Sequence, residues 1–141
     1  GDLLGLIDAD AAAFKPLAAA YGLPKDTPEQ KQAKEEALQA ALRDACLVPL
    51  RIMEVCCVVL SEARFMAENG SNLAVSDAGA SALLARAAAE AASLNVFINT
   101  GTMADRELAA SFEKQADELI ERANAEAELV GALVIGAIRK A

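Results

Sequence analysis

The sequence contains no histidine. That absence removes Ser-His and Cys-His catalysis and argues against a zinc enzyme. Cysteine is scarce: Cys46, Cys56 and Cys57 are the only three. They fit neither a metal-ligand spacing nor a disulfide framework, and all lie in one apolar helical segment, so they read as buried free thiols. Aromatic residues make up 4% of the chain, while much of its 55% hydrophobic content is alanine. That balance disfavours sheet and favours helices. Basic charge is in deficit, with 13 Lys+Arg against 21 Asp+Glu and a net charge of −8. With no local basic cluster, a nucleic-acid partner is excluded. Long uncharged apolar runs are also missing. "LVGALVIGAI" (129–138) is too short to span a bilayer, and "CLVPLRIMEVCCVVL" (46–60) carries Arg51 and Glu54, so no membrane partner is expected. The opening residues show no signal-peptide pattern, which deprives the "NGS" sequon at 69–71 of meaning. The expected setting is cytoplasmic.

What the sequence does contain is helical pattern from end to end. The length of 141 residues suits one domain, 1–141, with a real core. Asp2 to Tyr21 reads as a helix with Leu3, Leu6, Ile7, Phe14 and Leu17 on an apolar face, kinked at Pro16. After the loop "GLPKDTPEQ", Thr27, Pro28 and Gln30 form a capping-box start. The helix that follows is expected to reach about Val48, to kink or break at Pro49, and to resume to about Glu68. "EQKQAKEE" reads as a solvated charged face. "NGSNLAV" reads as a loop, and Ser76 as an N-cap with Asp77 in the first turn. "NTGTMAD" reads as the next break, with Thr102 and Asp105 as the capping signature of a final helix to about Arg139. The fold class is all-α: a multi-helical bundle with long Pro-kinked helices. Small alanine side chains let helices approach closely but gain little each, so burial between subunits is expected.

Polar residues in apolar surroundings carry the chemical interest. Asp10 sits among alanines on the first helix, and a carboxylate there is paired, solvated or functional. Lys25, in the loop after Pro24, has the reach to turn back toward the end of that helix. The two form a candidate acid–base pair against a background in which most such charges are plain surface charges. Ser76-Asp77 reads first as a helix cap. The stretch "LNVFIN" holds Asn95 and Asn99, which read on their own as helix-end residues. Asp77 and Asn95 are 18 residues apart. On one continuous helix they share a face but lie about 27 Å apart, too far for one small substrate within one subunit. Arg51, Arg64 and Arg86 are candidate cations for an anionic ligand tail, each with a surface-charge reading beside it.

Five segments occur in an order that resembles the cyclodeaminase/cyclohydrolase family: "DADAAAF" (8–14), "YGLPKDT" (21–27), "ACLVPLRIME" (45–54), "VSDAGASALLARAA" (75–88) and "LNVFIN" (94–99). The resemblance covers nearly the whole chain. It implies an all-helical, dimeric protein with folate sites near the subunit contact. It implies a tetrahydrofolate derivative as substrate, with no metal and no redox cofactor. The activity expected first is cyclisation of 5-formiminotetrahydrofolate to 5,10-methenyltetrahydrofolate with release of ammonia. The alternatives are a methenyltetrahydrofolate cyclohydrolase and a non-catalytic folate-binding or structural helical dimer. The resemblance implies site residues at Asp10, Lys25, Ser76, Asp77, Asn95 and Asn99. Of these, Asp10, Lys25 and Asp77 would do the chemistry, and Ser76, Asn95 and Asn99 would hold the folate. Lys and Asp can move the protons this chemistry needs without histidine.

The chain departs from the family pattern in two ways. Family members carry a further N-terminal part with a Gly-rich turn, whereas this chain opens on "GDLLGLIDAD", so an N-terminally truncated form, a fragment or a divergent member is expected. The family's Gly-Asn-x-Asn loop reads here with Ser71 and Leu73 in the asparagine places. Ligand contacts from those two amides are expected to be lost.

Overall fold

In the computed structural model, which describes residues 2–71 and 73–140, the chain forms four α-helices. They are α1 (Asp2–Gly22), α2 (Pro28–Asn69), α3 (Val75–Thr102) and α4 (Arg106–Arg139), with no strand among the described residues. One spacing holds three of them together. On α2 the buried positions Leu42, Cys46, Pro49, Met53, Cys56, Leu60 and Ala63 recur every three or four residues. Ala82, Ala85, Ala89, Ala92 and Val96 do the same on α3, as do Ala109, Phe112, Ala116, Ala123, Ala127, Val130 and Val134 on α4 with the half-buried Leu119 between Ala116 and Ala123. A repeat averaging 3.5 keeps a seam facing its partner over many turns, as in coiled coils. Long side chains on α2 fill the space that the alanines of α3 and α4 leave. The approach is closest where Gly79 of α3 meets α4: a Cβ there would lie 2.9 Å from Val134 Cγ1.

The helix ends only partly follow the local signals. Thr27 caps α2 as expected, with Gln30 N–H donating to its Oγ1 at 3.1 Å and Gln30 Oε1 accepting from Thr27 N–H at 3.2 Å. Asp105 caps α4, accepting from Leu108 N–H at 2.9 Å. Pro49 does not break α2, which runs for 42 residues straight through it. Ser76 is not an N-cap: α3 starts at Val75 after Ala74, and no side chain caps it. The break expected over "NTGTMAD" comes only at its end, at Met103–Asp105. α3 continues to Thr102, whose hydroxyl donates back to the Ile98 carbonyl at 3.3 Å. Asn95 and Asn99 therefore lie inside the helix rather than at its end. Buried neighbours on α2 reward the extra turns, and that outweighs the weak helix preference of Asn, Thr and Gly.

α1 packs on α2 and on no other helix among the described residues. It buries Leu17 and Ala20 but leaves Leu3, Ile7 and Phe14 exposed, so its expected apolar face is only partly covered. α3 is long and apolar enough to cross a bilayer by length and composition alone. Here it packs between α2 and α4, with Ser93 and Thr100 buried on its inner side.

Candidate functional site

Because α1 meets α2 alone, it stands off α3 and leaves a cleft of about 290 Å³ between them. The α1 wall is Asp10, Ala13, Phe14, Leu17 and Tyr21, and the α3 wall is Asn95, Ile98, Asn99 and Thr102. Leu42 and Ala45 of α2 form the floor. Each wall is one helical stripe. Asp10, Phe14, Leu17 and Tyr21 fall at i, i+4, i+7 and i+11, and Asn95, Asn99 and Thr102 at i, i+4 and i+7. Asp10 and the tyrosine hydroxyl supply the titratable groups of this lining, and the two amides supply donors and acceptors.

Asn99 is fixed by a feature of α2. Proline has no N–H, so Pro49 leaves the carbonyl four residues earlier, that of Ala45, without its helical donor. Asn99 Nδ2 donates to that carbonyl across the helix contact at 3.2 Å. An uninterrupted α2 and an asparagine within α3 are therefore two halves of one arrangement. The amide nitrogen must face Ala45, which leaves Oδ1 as the acceptor available to the cleft.

The far end of the cleft is held by residues without a signature. Lys34, not Lys25, reaches back to α1: its Nζ donates to the carbonyls of Tyr21 at 2.6 Å and Leu23 at 2.9 Å. These are carbonyls that a helix end leaves without partners. On the other side, Arg106 Nη1 donates to the carbonyls of Thr100 at 2.6 Å and Met103 at 3.2 Å, closing the end of α3. Gln39 joins α2 to the same turn, accepting from Ala104 N–H at 2.7 Å.

Asp10, Asn95 and Asn99 thus converge on one cleft, whereas Lys25, Ser76 and Asp77 lie outside its lining. Lys25 is exposed in the α1–α2 loop. About 18 Å of helix separates Asp10 from Gly22, just before that loop, so the two charges form no direct pair within the chain. Ser76 and Asp77 are exposed at the start of α3, about 27 Å from Asn95. Arg51, Arg64 and Arg86 are each engaged by a carboxylate of their own helix, Glu54 at 2.9 Å, Glu68 at 3.0 Å and Glu90 at 3.4 Å, and none lines the cleft. Sequence reasoning passed over Phe14, Tyr21, Thr102 and Lys34. The spacing of Phe14 and Tyr21 from Asp10 was the available signal for the first two. Lys34 had none, because its partners are backbone carbonyls.

The cysteines are not nucleophiles. Burial pushes the Cys46 thiol up to about 11, with the nearby Glu113 carboxylate adding to the effect. Cys56 and Cys57 are also raised, chiefly by burial. Thiols held protonated in this way are weak nucleophiles and poor metal ligands.

The protein is thus an all-helical bundle with a carboxylate, two amides and two aromatic rings around one cleft. The family model described as Formiminotransferase-cyclodeaminase matches residues 1–118, and the chain belongs to that family. Among curated relatives, methenyltetrahydrofolate cyclohydrolase of Methylorubrum extorquens is 40% identical over 123 residues, which cover 87% of this chain and 59% of that protein. Formimidoyltransferase-cyclodeaminase of Sus scrofa is 34% identical over 128 residues, covering 91% of this chain and 24% of that protein. The chain thus spans little more than half of the bacterial relative and about a quarter of the vertebrate one. The crystal structure of formiminotetrahydrofolate cyclodeaminase from Thermotoga maritima superposes with a TM-score of 0.82 at 24% identity, over 96% of this chain and 64% of that one. At that identity the likeness establishes the shared helical fold.

Proposed function

We propose that the chain works in folate one-carbon metabolism, closing 5-formiminotetrahydrofolate to 5,10-methenyltetrahydrofolate with release of ammonia. The observation that carries this reading is the convergence of Asp10, Asn95 and Asn99 on one cleft in a chain of this family. In the reaction the N10 nitrogen attacks the carbon of the protonated formimino group (–CH=NH2+), giving a carbon bonded to N5, N10 and the departing amine. The N10 proton moves to that amine, ammonia leaves, and a cationic methenyl bridge remains. A carboxylate can relay the proton and then face the cation. Asp10 and Lys25 handle proton transfer, Asp77 orients the pterin or stabilises the cationic amidinium, and Ser76, Asn95 and Asn99 hold the folate. The folate derivative is substrate, and the chemistry calls for no metal or redox cofactor. The setting is cytoplasmic.

The function is that of a homodimer. Ala80, Leu84, Ala87, Ala91, Leu94 and Ile98 form an unbroken exposed stripe along α3, a pattern of an unpartnered helix. Two copies packed antiparallel about Ala87 would set Asp77 of the partner subunit within about a turn of Asn95, closing the 27 Å separation. Hydrolysis of the methenyl form to 10-formyltetrahydrofolate is the second reading, favoured by the 40% identity to a cyclohydrolase.

Methenyltetrahydrofolate absorbs strongly in the near ultraviolet, so an absorbance assay separates the two reactions. A rise with 5-formiminotetrahydrofolate supports the first, and an accelerated fall with the methenyl form supports the second. No change with either removes both.

A further inference from the structure

Aromatic residues are few in this chain, yet two of them, Phe14 and Tyr21, stand on one stripe of α1 and face the cleft. Neither is needed by the core. Phe14 is 63% exposed and Tyr21 51% exposed, while Leu17 between them takes the buried contact with α2. Because α1 does not pack against α3, these exposed rings have no packed partner across the cleft. Across the cleft the α3 wall carries the amides of Asn95 and Asn99 beside Ile98 and Thr102, and the bond to Ala45 leaves Asn99 Oδ1 as an acceptor. A wall of ring faces opposite a wall of amide edges suits a flat heteroaromatic ligand that carries N–H groups on its rim.

We propose that Phe14 and Tyr21 are the ring-binding residues of this cleft, packing against the face of the ligand's flat heterocycle while Asn99 Oδ1 accepts from an N–H on its edge. This rests on the folate reading, under which the heterocycle is the pterin and its amide and amine N–H groups form the edge. It assigns the pterin to the α1–α3 cleft and directs the p-aminobenzoylglutamate tail out of it. The lining contains no cation to hold carboxylates. The Lys34 bridge to the Tyr21 and Leu23 carbonyls fixes the helix end that carries the second ring.

The chain has one tyrosine and no tryptophan, so its intrinsic emission comes from Tyr21 alone. Tyrosine emission and calorimetric affinity are measured together on the 141-residue chain, with 5-formyltetrahydrofolate and with p-aminobenzoylglutamate as probes. The expected result is saturable quenching by the first probe and none by the second. Phe14→Ala should weaken the first probe about tenfold or more, the scale of a lost stacking contact. Phe14→Tyr should restore it, and the helical circular dichroism should be unchanged because the side chain is exposed. Calorimetric binding of 5-formyltetrahydrofolate with unchanged Tyr21 emission overturns the proposal and leaves the folate reading standing. So does an unchanged affinity in Phe14→Ala, including the case where that variant only loses self-association. Failure of the intact chain to bind 5-formyltetrahydrofolate at all overturns both.

Discussion

The side-chain amide of Asn99 on α3 donates to the backbone carbonyl of Ala45 on α2 at 3.2 Å, the carbonyl that Pro49 leaves without a helical partner. The bond lets α2 pass through a proline unbroken and fixes which face of the amide the cleft meets. Asn99→Ala should leave that part-buried carbonyl unmet and cost about 1–3 kcal/mol. Pro49→Ala restores a backbone N–H to Ala45, so the loss should shrink in the double variant. Denaturant midpoints for the four members of this cycle measure the coupling, and strictly additive effects would show that the two residues act independently.

Asp10 and Lys25 can be separated by activity. Asp10→Asn keeps the shape of the cleft and removes the proton-accepting carboxylate, and Lys25→Ala removes an exposed loop cation. Each is expected to lower turnover by about a hundredfold or more, the usual scale for a general acid or base, with the helical circular dichroism intact. Full activity in Asp10→Asn would take the carboxylate out of the mechanism. Full activity in Lys25→Ala alone would confine the chemistry to the cleft.

Lys34 anchors the C-terminal end of α1. Lys34→Met keeps most of the apolar stem but loses two charge-assisted bonds to the Tyr21 and Leu23 carbonyls. A stability loss of about 1–2 kcal/mol is expected, with faster amide exchange confined to the last turn of α1. Uniform acceleration across all four helices would place the effect in the bundle instead.

The pH dependence of stability should carry the signature of the buried thiols. Cys46 titrates at about 11 in the fold and near 8.5 in an unfolded chain, so between those values the unfolded state binds fewer protons. Its contribution is fully present below about pH 8.5 and is lost as pH rises toward 11, by roughly 3 kcal/mol at most. Cys46→Ala should flatten that decline in urea midpoints taken from pH 8 to 10.5. Native protein should also resist thiol reagents at pH 8, and rapid labelling of all three cysteines would contradict their burial.

The α3 stripe is tested by association. Ala87→Glu places a charge at the proposed centre of the helix pair, on an exposed position that the monomer fold tolerates. Sedimentation should show a dimer for the parent chain and a monomer for the variant. Unchanged association would move the contact elsewhere.

The all-α class, the Thr27 capping box, the Asp105 cap and the buried state of the cysteines were legible in the sequence, because each follows from composition, local hydrogen bonding or periodicity. Ser76 is not the cap, and the break in "NTGTMAD" begins only after Thr102, because packing rather than local preference decides where α3 starts and ends. Ser76 falls one residue inside α3, and burial of Val96 and Thr100 carries the helix past its weak formers. Asp10, Asn95 and Asn99 stand out in the sequence as polar residues in apolar helical surroundings, and the family resemblance implies site roles for them, but their meeting in one cleft is not readable from spacing. They belong to helices whose facing depends on how both sit on α2.

By itself the sequence determined the secondary-structure class and the chemistry on offer: carboxylates, amides and lysines, without histidine. Residue type and local periodicity are enough for that. Tertiary structure alone decided that Asn99 completes the helix Pro49 would have broken, that Lys34 rather than Lys25 holds α1, and that Phe14 and Tyr21 face the amides of α3. Each is a contact between distant parts of the chain, set by the packing of long helices and by the need of backbone carbonyls for donors, which no local window of sequence contains.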